Sequence, residues 1–490
     1  MIFQGQQFTV SRHAWTFMGA VALMLLVDFL PSPPLLKGGE QLIELTAAGK
    51  ASLGILAFAV TLWVTETIPF PITALFVILL IPAFGIKEFQ SVVRTGFGDP
   101  IIVFFIGVLL LSAAFTQSGL GTRLAYYIVL KAGNRTDRIL LGFLFVGAMM
   151  SMWITDMAVA AIMFPLGVGL LKGADLKPLQ SNFGRALMIS CAYGPLIGGI
   201  STPAGTGANP VAIRYLYQLA QVDISFLTWM SLGLPATLMM IPIGWLILLK
   251  IFPLEMEKLP LENSQIKTNL KTQGSLSTNE IKTLTIFFLT ISLWLLGPFI
   301  NKITNGFVNL PIEAVALLGG LSVFLPAVKI LSWKEAERNI NWGGILLIVA
   351  GISLGMTLYE TGAARWLAWL LMGHISAIHF VFLPFVIVIA VALLHLMFSS
   401  NTVTGTIIIP ILIALAHDLK LDPWIIVGPA AFSSSLAFIL VTEGPTTVIP
   451  YASGYFSIRD MAKAGIWMTL AAAVCVSVSV LTVGTLTGSY

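Results

Sequence analysis

Apolar runs long enough to cross a lipid bilayer recur from one end of this 490-residue chain to the other. A helix needs about 20 mostly apolar residues to span the hydrocarbon layer, and such runs, separated by short polar loops, describe a polytopic helical membrane protein. Composition agrees. Hydrophobic residues make up 57% and charged residues 10%, where soluble domains carry about a quarter charged. The first run, 14–31, has no small-residue cleavage site and is long enough to span, so it reads as a membrane span rather than a signal peptide. The net charge of +4 implies no nucleic-acid partner, because the basic residues fall in loops between the runs. Cys191 and Cys475 sit in apolar surroundings and supply neither a disulfide framework nor a metal cluster.

Eleven crossings are expected, at 14–31, 51–68, 71–86, 100–118, 187–207, 228–249, 283–300, 311–328, 342–360, 424–446 and 464–487. Two further apolar segments, about 139–170 and 379–416, are interrupted near their centres by polar residues. Their halves are mostly too short to span, so each is predicted to enter and leave on one side as a re-entrant hairpin. With the N-terminus in the cytoplasm, 18 lysines and arginines fall inside and 8 outside, as the positive-inside rule requires. Residues 1–50 hold an N-terminal span, and 254–282 form a polar cytoplasmic linker between the halves 51–253 and 283–490.

The halves resemble each other. WITDMAVAAIMFP, ending at Pro165, aligns with FSSNTVTGTIIIP, ending at Pro410, which sets Asp156 on Asn401. GVLLLSAAFTQSGLGTRLA aligns with AGISLGMTLYETGAARWLA, pairing Gly119 with Gly362, and FPITALFVILLIPAFG resembles LPIEAVALLGGLSVFLPAV. Five crossings per half, an odd number, would insert the second half upside down. The polar clusters fall at matching places: the two hairpin tips, and two Gly/Pro-rich breaks in the broken helices at about 187–213 and 424–450. Breaks inside a span free backbone N–H groups for anions and carbonyls for cations. Inverted repeats with such breaks are a transporter architecture. An acid at Asp156 is then either a structural carboxyl bonded to a neighbouring helix or part of a transport site, since ionisable groups at membrane depth usually line a substrate or ion path.

SSNT (399–402), WVTETIPFPITAL (63–75), GGISTPAGTGAN (198–209) and SLAFILVTEGPTTVIPYASG (435–454) resemble signatures of the divalent anion:sodium symporter family, carriers of di- and tricarboxylates or sulfate. The likeness covers nearly the whole chain. It implies an all-α homodimer in the cell membrane, surrounded by lipid, whose scaffold holds two transport domains that move as elevators. It also implies a cation-coupled secondary active transporter of a small carboxylate anion, a C4-dicarboxylate first, or else an exchanger or a sulfate carrier of the same fold. No cofactor is implied beyond sodium or a proton as coupling ion. Substrate contacts would come from Thr155, Asp156, Thr206, Ser400, Asn401, Thr402, Gly444 and Pro445. Cation sites would map to Ser151, Thr155, Asp156 and Gly205 in the first half and to Ser399, Asn401 and Glu443 in the second.

Departures from the pattern are informative. The first tip reads Thr155-Asp156-Met157 in place of Ser-Asn-Thr. Gly207-Ala208 replaces Pro-Pro ahead of Asn209, Glu443 stands where a small residue belongs, and Thr447 replaces an asparagine. Two acids where a dianion docks would repel it by about 4 kcal/mol each at roughly 4 Å and an effective dielectric near 20. An aspartate accepts hydrogen bonds when ionised and donates only when protonated. Asp156, with Glu443, is therefore expected to be a coupling residue, as a proton site or as a charged sodium ligand. The proton is favoured, because protonation removes the repulsion and restores a donor. Glu66, Glu313 and Glu360 sit near span ends and read as solvated or interfacial, and His395 as a packed neutral histidine. The chain carries no HExxH, nucleophile elbow or phosphate loop, so an enzyme is not expected.

Overall fold

The computed structural model describes residues 12–487 apart from 32, 39–40, 261–273 and 374–377; the middle of the expected linker, 261–273, therefore lies outside the described residues. After Arg12–Phe29 the helices of the first half are Ala47–Thr65, Phe70–Ala83, Phe89–Phe97, Pro100–Gln117, Leu120–Ala132, Thr136–Ser151, Asp156–Gly173, Asn182–Gly199, Ala208–Ala220 and Phe226–Ile251. Those of the second are Thr278–Ile303, Ile312–Ser322, Trp333–Asn339, Trp342–Glu360, Ala363–Met372, Leu383–His395, Asn401–Asp418, Pro423–Ser433, Pro445–Tyr451 and Ile458–Thr487. Among the described residues, 8 helical stretches are long and apolar enough to cross a membrane. They include Asp156–Gly173 and Asn401–Asp418, the second arms of the expected hairpins.

Local chemistry sets the boundaries. Ser181, Ser225 and Ser277 each accept a backbone N–H at a helix start, the last in a capping box with Glu280. That box begins a helix at Thr278, inside the segment expected to be linker. Gly119 and Gly362, matched in the sequence alignment, both adopt left-handed backbone (φ 81° and 79°) between a long apolar helix and a short amphipathic one. Only glycine accepts that conformation without strain.

One feature corrects the sequence reading. A two-stranded antiparallel hairpin, Leu36–Gly38 with Gln41–Ile43, interrupts the all-α pattern. Within 187–213 and 424–450 the helix ends at Gly199 and Ser433, and the chain runs irregularly before Ala208 and Pro445. The spans at 71–86 and 311–328 have partners in the opposite half. Phe70–Ala83 packs on Trp342–Glu360, and Ile312–Ser322 on Pro100–Gln117. At the second crossing a Cβ on Gly320 would lie 2.9 Å from the Gly107 carbonyl oxygen, so backbone meets backbone there.

The same exchange recurs around the tips. Asn401–Asp418 packs on Ala208–Ala220, and Asp156–Gly173 on Pro445–Tyr451. Each hairpin is thereby held by the helix that follows the break in the other half.

Candidate functional site

The first hairpin leaves helix at Met152 and resumes at Asp156; the second leaves at Leu396 and resumes at Asn401. At the second tip the Ser400 hydroxyl accepts from the Val403 N–H at 3.4 Å, whereas Thr155 at the first makes no such cap. The Asp156 carboxylate caps the first tip instead, with Oδ1 accepting from the Met157 N–H at 2.8 Å. Oδ2 accepts from the Asn401 side-chain amide at 3.1 Å, and Thr446 lies beside the carboxylate. The two residues set opposite each other in the sequence alignment of the halves therefore touch.

The tips and breaks enclose one wall of a cavity of 240 Å³. Thr155, Asp156, Met157, Thr206, Ser399, Ser400, Asn401, Thr402, Pro445 and Thr446 line this wall. The facing wall is largely apolar, with Phe70, Pro71, Phe105, Leu109, Ile345 and Ile348, and Asn341 at its edge. Among the described residues no lysine, arginine or histidine lines it. Attraction for an anion must then come from hydroxyls, from backbone N–H groups where Asp156–Gly173, Asn401–Asp418 and Ala208–Ala220 begin, and from any bound cation.

Ser151, Gly205, Glu443 and Gly444 do not line the cavity. Ser151 and Gly205 lie behind the first tip, where the Gly205 carbonyl accepts the Asp156 N–H at 3.2 Å. A Cβ on Gly205 would come within 2.6 Å of the Ser151 carbonyl oxygen, so no larger residue fits. A methyl placed on the neighbouring Gly199 would lie 3.5 Å from both the Gly205 carbonyl oxygen and the Ser151 hydroxyl. Asn209 joins the group by donating to the Gly199 and Thr202 carbonyls, each at 2.8 Å. The Ser151 Oγ and Asn209 Oδ1 atoms are buried with no protein partner. Behind the second tip, Asn401 Oδ1 and Ser435 Oγ are in the same condition. Gly444 adjoins Asn401 there, since a Cβ on it would lie 3.7 Å from Asn401 Oδ1. Buried oxygens without partners are costly. Hard oxygen donors of this kind suit a small cation such as sodium.

Glu443 turns away from the cavity. It is 2% exposed, and its Oε1 accepts from the Leu440 N–H at 2.6 Å, closing a single helical turn within the break. His395, on the second hairpin's first arm, is buried, as expected for a packed histidine. Lys87 pairs with Glu360 at 2.5 Å at the end of Trp342–Glu360.

The breaks are stitched by side chains. Trp229 Nε1 donates to the Ile200 carbonyl at 2.9 Å, Thr237 to Ile197 at 2.8 Å, and Tyr193 to Phe438 at 2.9 Å. Thr447, where the family pattern has asparagine, donates to Val441 and Gly444 at 2.7 and 2.6 Å. In lipid each carbonyl left without such a donor would cost several kcal/mol. Asn209, Ser435 and Thr446 were absent from the sequence-derived site, although they fall inside its polar breaks. The apolar wall carried no signal, because Phe105 and Ile345 look like any span residue.

Comparison with known proteins places this geometry. The family described as "Sodium:sulfate symporter transmembrane region" matches residues 11–487. The chain belongs to the divalent anion:sodium symporter family. It is a multi-pass membrane transporter, not an enzyme. Within the family it is 30% identical over 446 residues to the sodium-dependent dicarboxylate transporter SdcS of Staphylococcus saprophyticus, covering 87% of this chain and 84% of that one. The SdcS of Staphylococcus aureus strain USA300 is 30% identical over 453 residues, covering 88% and 85%. Among solved structures, the YdaH transporter of Alcanivorax borkumensis shares the fold (TM-score 0.54, 15% identity, 97% of both chains). So does MtrF of Neisseria gonorrhoeae, described as one of a class of antimetabolite efflux pumps (TM-score 0.56, 13% identity, 96% and 95%).

Proposed function

We propose that this symporter-family member is a sodium-coupled secondary active transporter of a small carboxylate, with C4-dicarboxylates such as succinate or malate as its substrates. The observation that carries the reading is the cavity itself: hydroxyls and helix starts on one wall, no basic side chain among the described residues, and partnerless buried oxygens directly behind both tips. Such a site attracts an anion once cations occupy the positions behind it. The naming of its relatives as sodium-dependent dicarboxylate transporters supports both the ion and the substrate class. Sodium is preferred here to the proton expected from the sequence, because both Asp156 oxygens accept hydrogen bonds, the pattern of an ionised carboxylate. Ser151, Asp156, Gly205 and Asn209 would serve the first cation, and Ser399, Asn401, Ser435 and Gly444 the second. Thr206, Ser400, Thr402 and Pro445 would face the substrate.

The two halves act as inverted repeats. Their helices follow one another in the same order, their polar tips coincide, and their elements exchange partners across the cavity. The tips, breaks and following helices form an elevator-type transport domain that slides against the helices of the apolar wall. A homodimer in the cell membrane with a cytoplasmic N-terminus completes the reading, supported by the family likeness and by the distribution of lysine and arginine. Uptake into proteoliposomes under an inward sodium gradient tests the function. Succinate, malate, citrate, sulfate and a monocarboxylate form the panel, and no sodium-stimulated uptake of any of them would sink it. A native mass in detergent near that of one chain, 52.8 kDa, would remove the dimer.

A further inference from the structure

We propose that Asp156 makes this site select C4-dicarboxylates bearing a hydrogen-bond donor on carbon 2, a hydroxyl or an ammonium, over the unsubstituted skeleton. The inference rests on the dicarboxylate reading above and narrows it.

The two tips share one register but not one chemistry. The second presents Ser400 and Thr402, hydroxyls that donate to a carboxylate. The first presents Thr155, Asp156 and Met157 to the same cavity: one hydroxyl, an acceptor, and a thioether with no proton to give. Asn401 adds to the inequality, because its amide already donates to Asp156 at 3.1 Å and is drawn from the ligand toward the acid. A symmetric dianion therefore finds a good berth at one end only. Among the described residues, no basic side chain in the lining offsets the acid at the other end.

A donor on carbon 2 reverses the sign of that contact. Asp156 keeps 8% exposure and lines the cavity, so a hydroxyl or ammonium beside the ligand's carboxylate meets a charged acceptor. A methylene there offers nothing. The cavity's 240 Å³ lies below the common range of about 300 Å³ upward for ligand pockets, which favours four carbons over the six of a tricarboxylate. Hydrogen bonds to a charged group discriminate by about tenfold or more, and a site that offers one rejects the analogue that lacks it.

The experiment compares malate, aspartate and succinate for sodium-driven uptake into proteoliposomes, with wild type and Asp156→Asn. Wild type should take up malate and aspartate at least about tenfold more efficiently (kcat/KM) than succinate. The variant should lose most of that ratio by gaining succinate. Ligand-induced thermal stabilisation of detergent-purified wild type should follow the same order, a readout that does not depend on the variant folding. Equal handling of the three ligands by wild type, or an unchanged ratio in a folded variant, overturns the inference while leaving dicarboxylate transport standing. No uptake of any of them overturns both.

Discussion

Arg214→Met is a sharp test of how the two walls of the cavity are tied together. Asp99 caps Pro100–Gln117, its Oδ1 accepting the Ile101 N–H at 3.0 Å. Its Oδ2 accepts from Arg214 Nε at 2.7 Å and Gln218 Nε2 at 2.9 Å, one turn apart on Ala208–Ala220. The Asp99 side chain is 1% exposed, while that of Arg214, at 20%, borders a separate cavity of 890 Å³. Removing one partner of a buried ion pair costs about 3–5 kcal/mol, because the remaining charge is left uncompensated. Here Gln218 and Ile101 still donate, which puts the expected loss at the lower end, about 3 kcal/mol. In Asp99→Asn the cap survives, and the Arg214 left behind is partly exposed beside the cavity, so about 1 kcal/mol, one hydrogen bond's worth, should be lost. The double variant should lose about 2 kcal/mol less than the two single losses together. Thermal unfolding in detergent, followed by tryptophan fluorescence, reads these as a Tm drop of several degrees for Arg214→Met, partly recovered in the double variant. Additive drops, or a single variant that unfolds with wild type, would refute the reasoning. The helix carrying Arg214 starts at the polar wall and the one capped by Asp99 carries Phe105 of the apolar wall. The same variants should therefore change transport rate without changing which substrate is preferred.

Asp156→Asn, and separately Ser151→Ala with Asn209→Ala, should raise the sodium concentration needed for half-maximal uptake by about tenfold, through loss of a charged or otherwise partnerless ligand; a sodium titration of uptake checks this. Glu443→Ala should act on stability rather than substrate choice. It removes the acceptor for the Leu440 N–H, at a cost of about 1–3 kcal/mol visible in Tm, with the ratio of malate to succinate uptake unchanged. Gly107→Ala should cost about 1–3 kcal/mol or more, because the new methyl meets the backbone at Ala316, which cannot rotate aside as a side chain would. Ser277→Ala should cost about 1 kcal/mol by opening the capping box, again read by Tm.

What the amino-acid sequence determined by itself follows from the severity of the solvent. Lipid tolerates little but long apolar helices, so most spans end within a few residues of where the hydropathy ends, as at Trp342–Glu360. Polar residues inside such runs are conspicuous for the same reason, which is why both tips and both breaks were visible without coordinates. Helices such as Phe89–Phe97 and Ala363–Met372 are short and amphipathic, and they give no signal in a search for spans. The tertiary structure alone decided which side chains share a space. Glu443 and Asp156 both look like acids in a polar break, yet one turns inward to its own Leu440 N–H and the other meets Asn401 across 245 residues of chain. The apolar wall of Phe70, Phe105 and Ile345 became a wall only because the two halves exchange helices across the cavity. Periodicity records which face of a helix avoids water or lipid, but not which distant helix that face will meet.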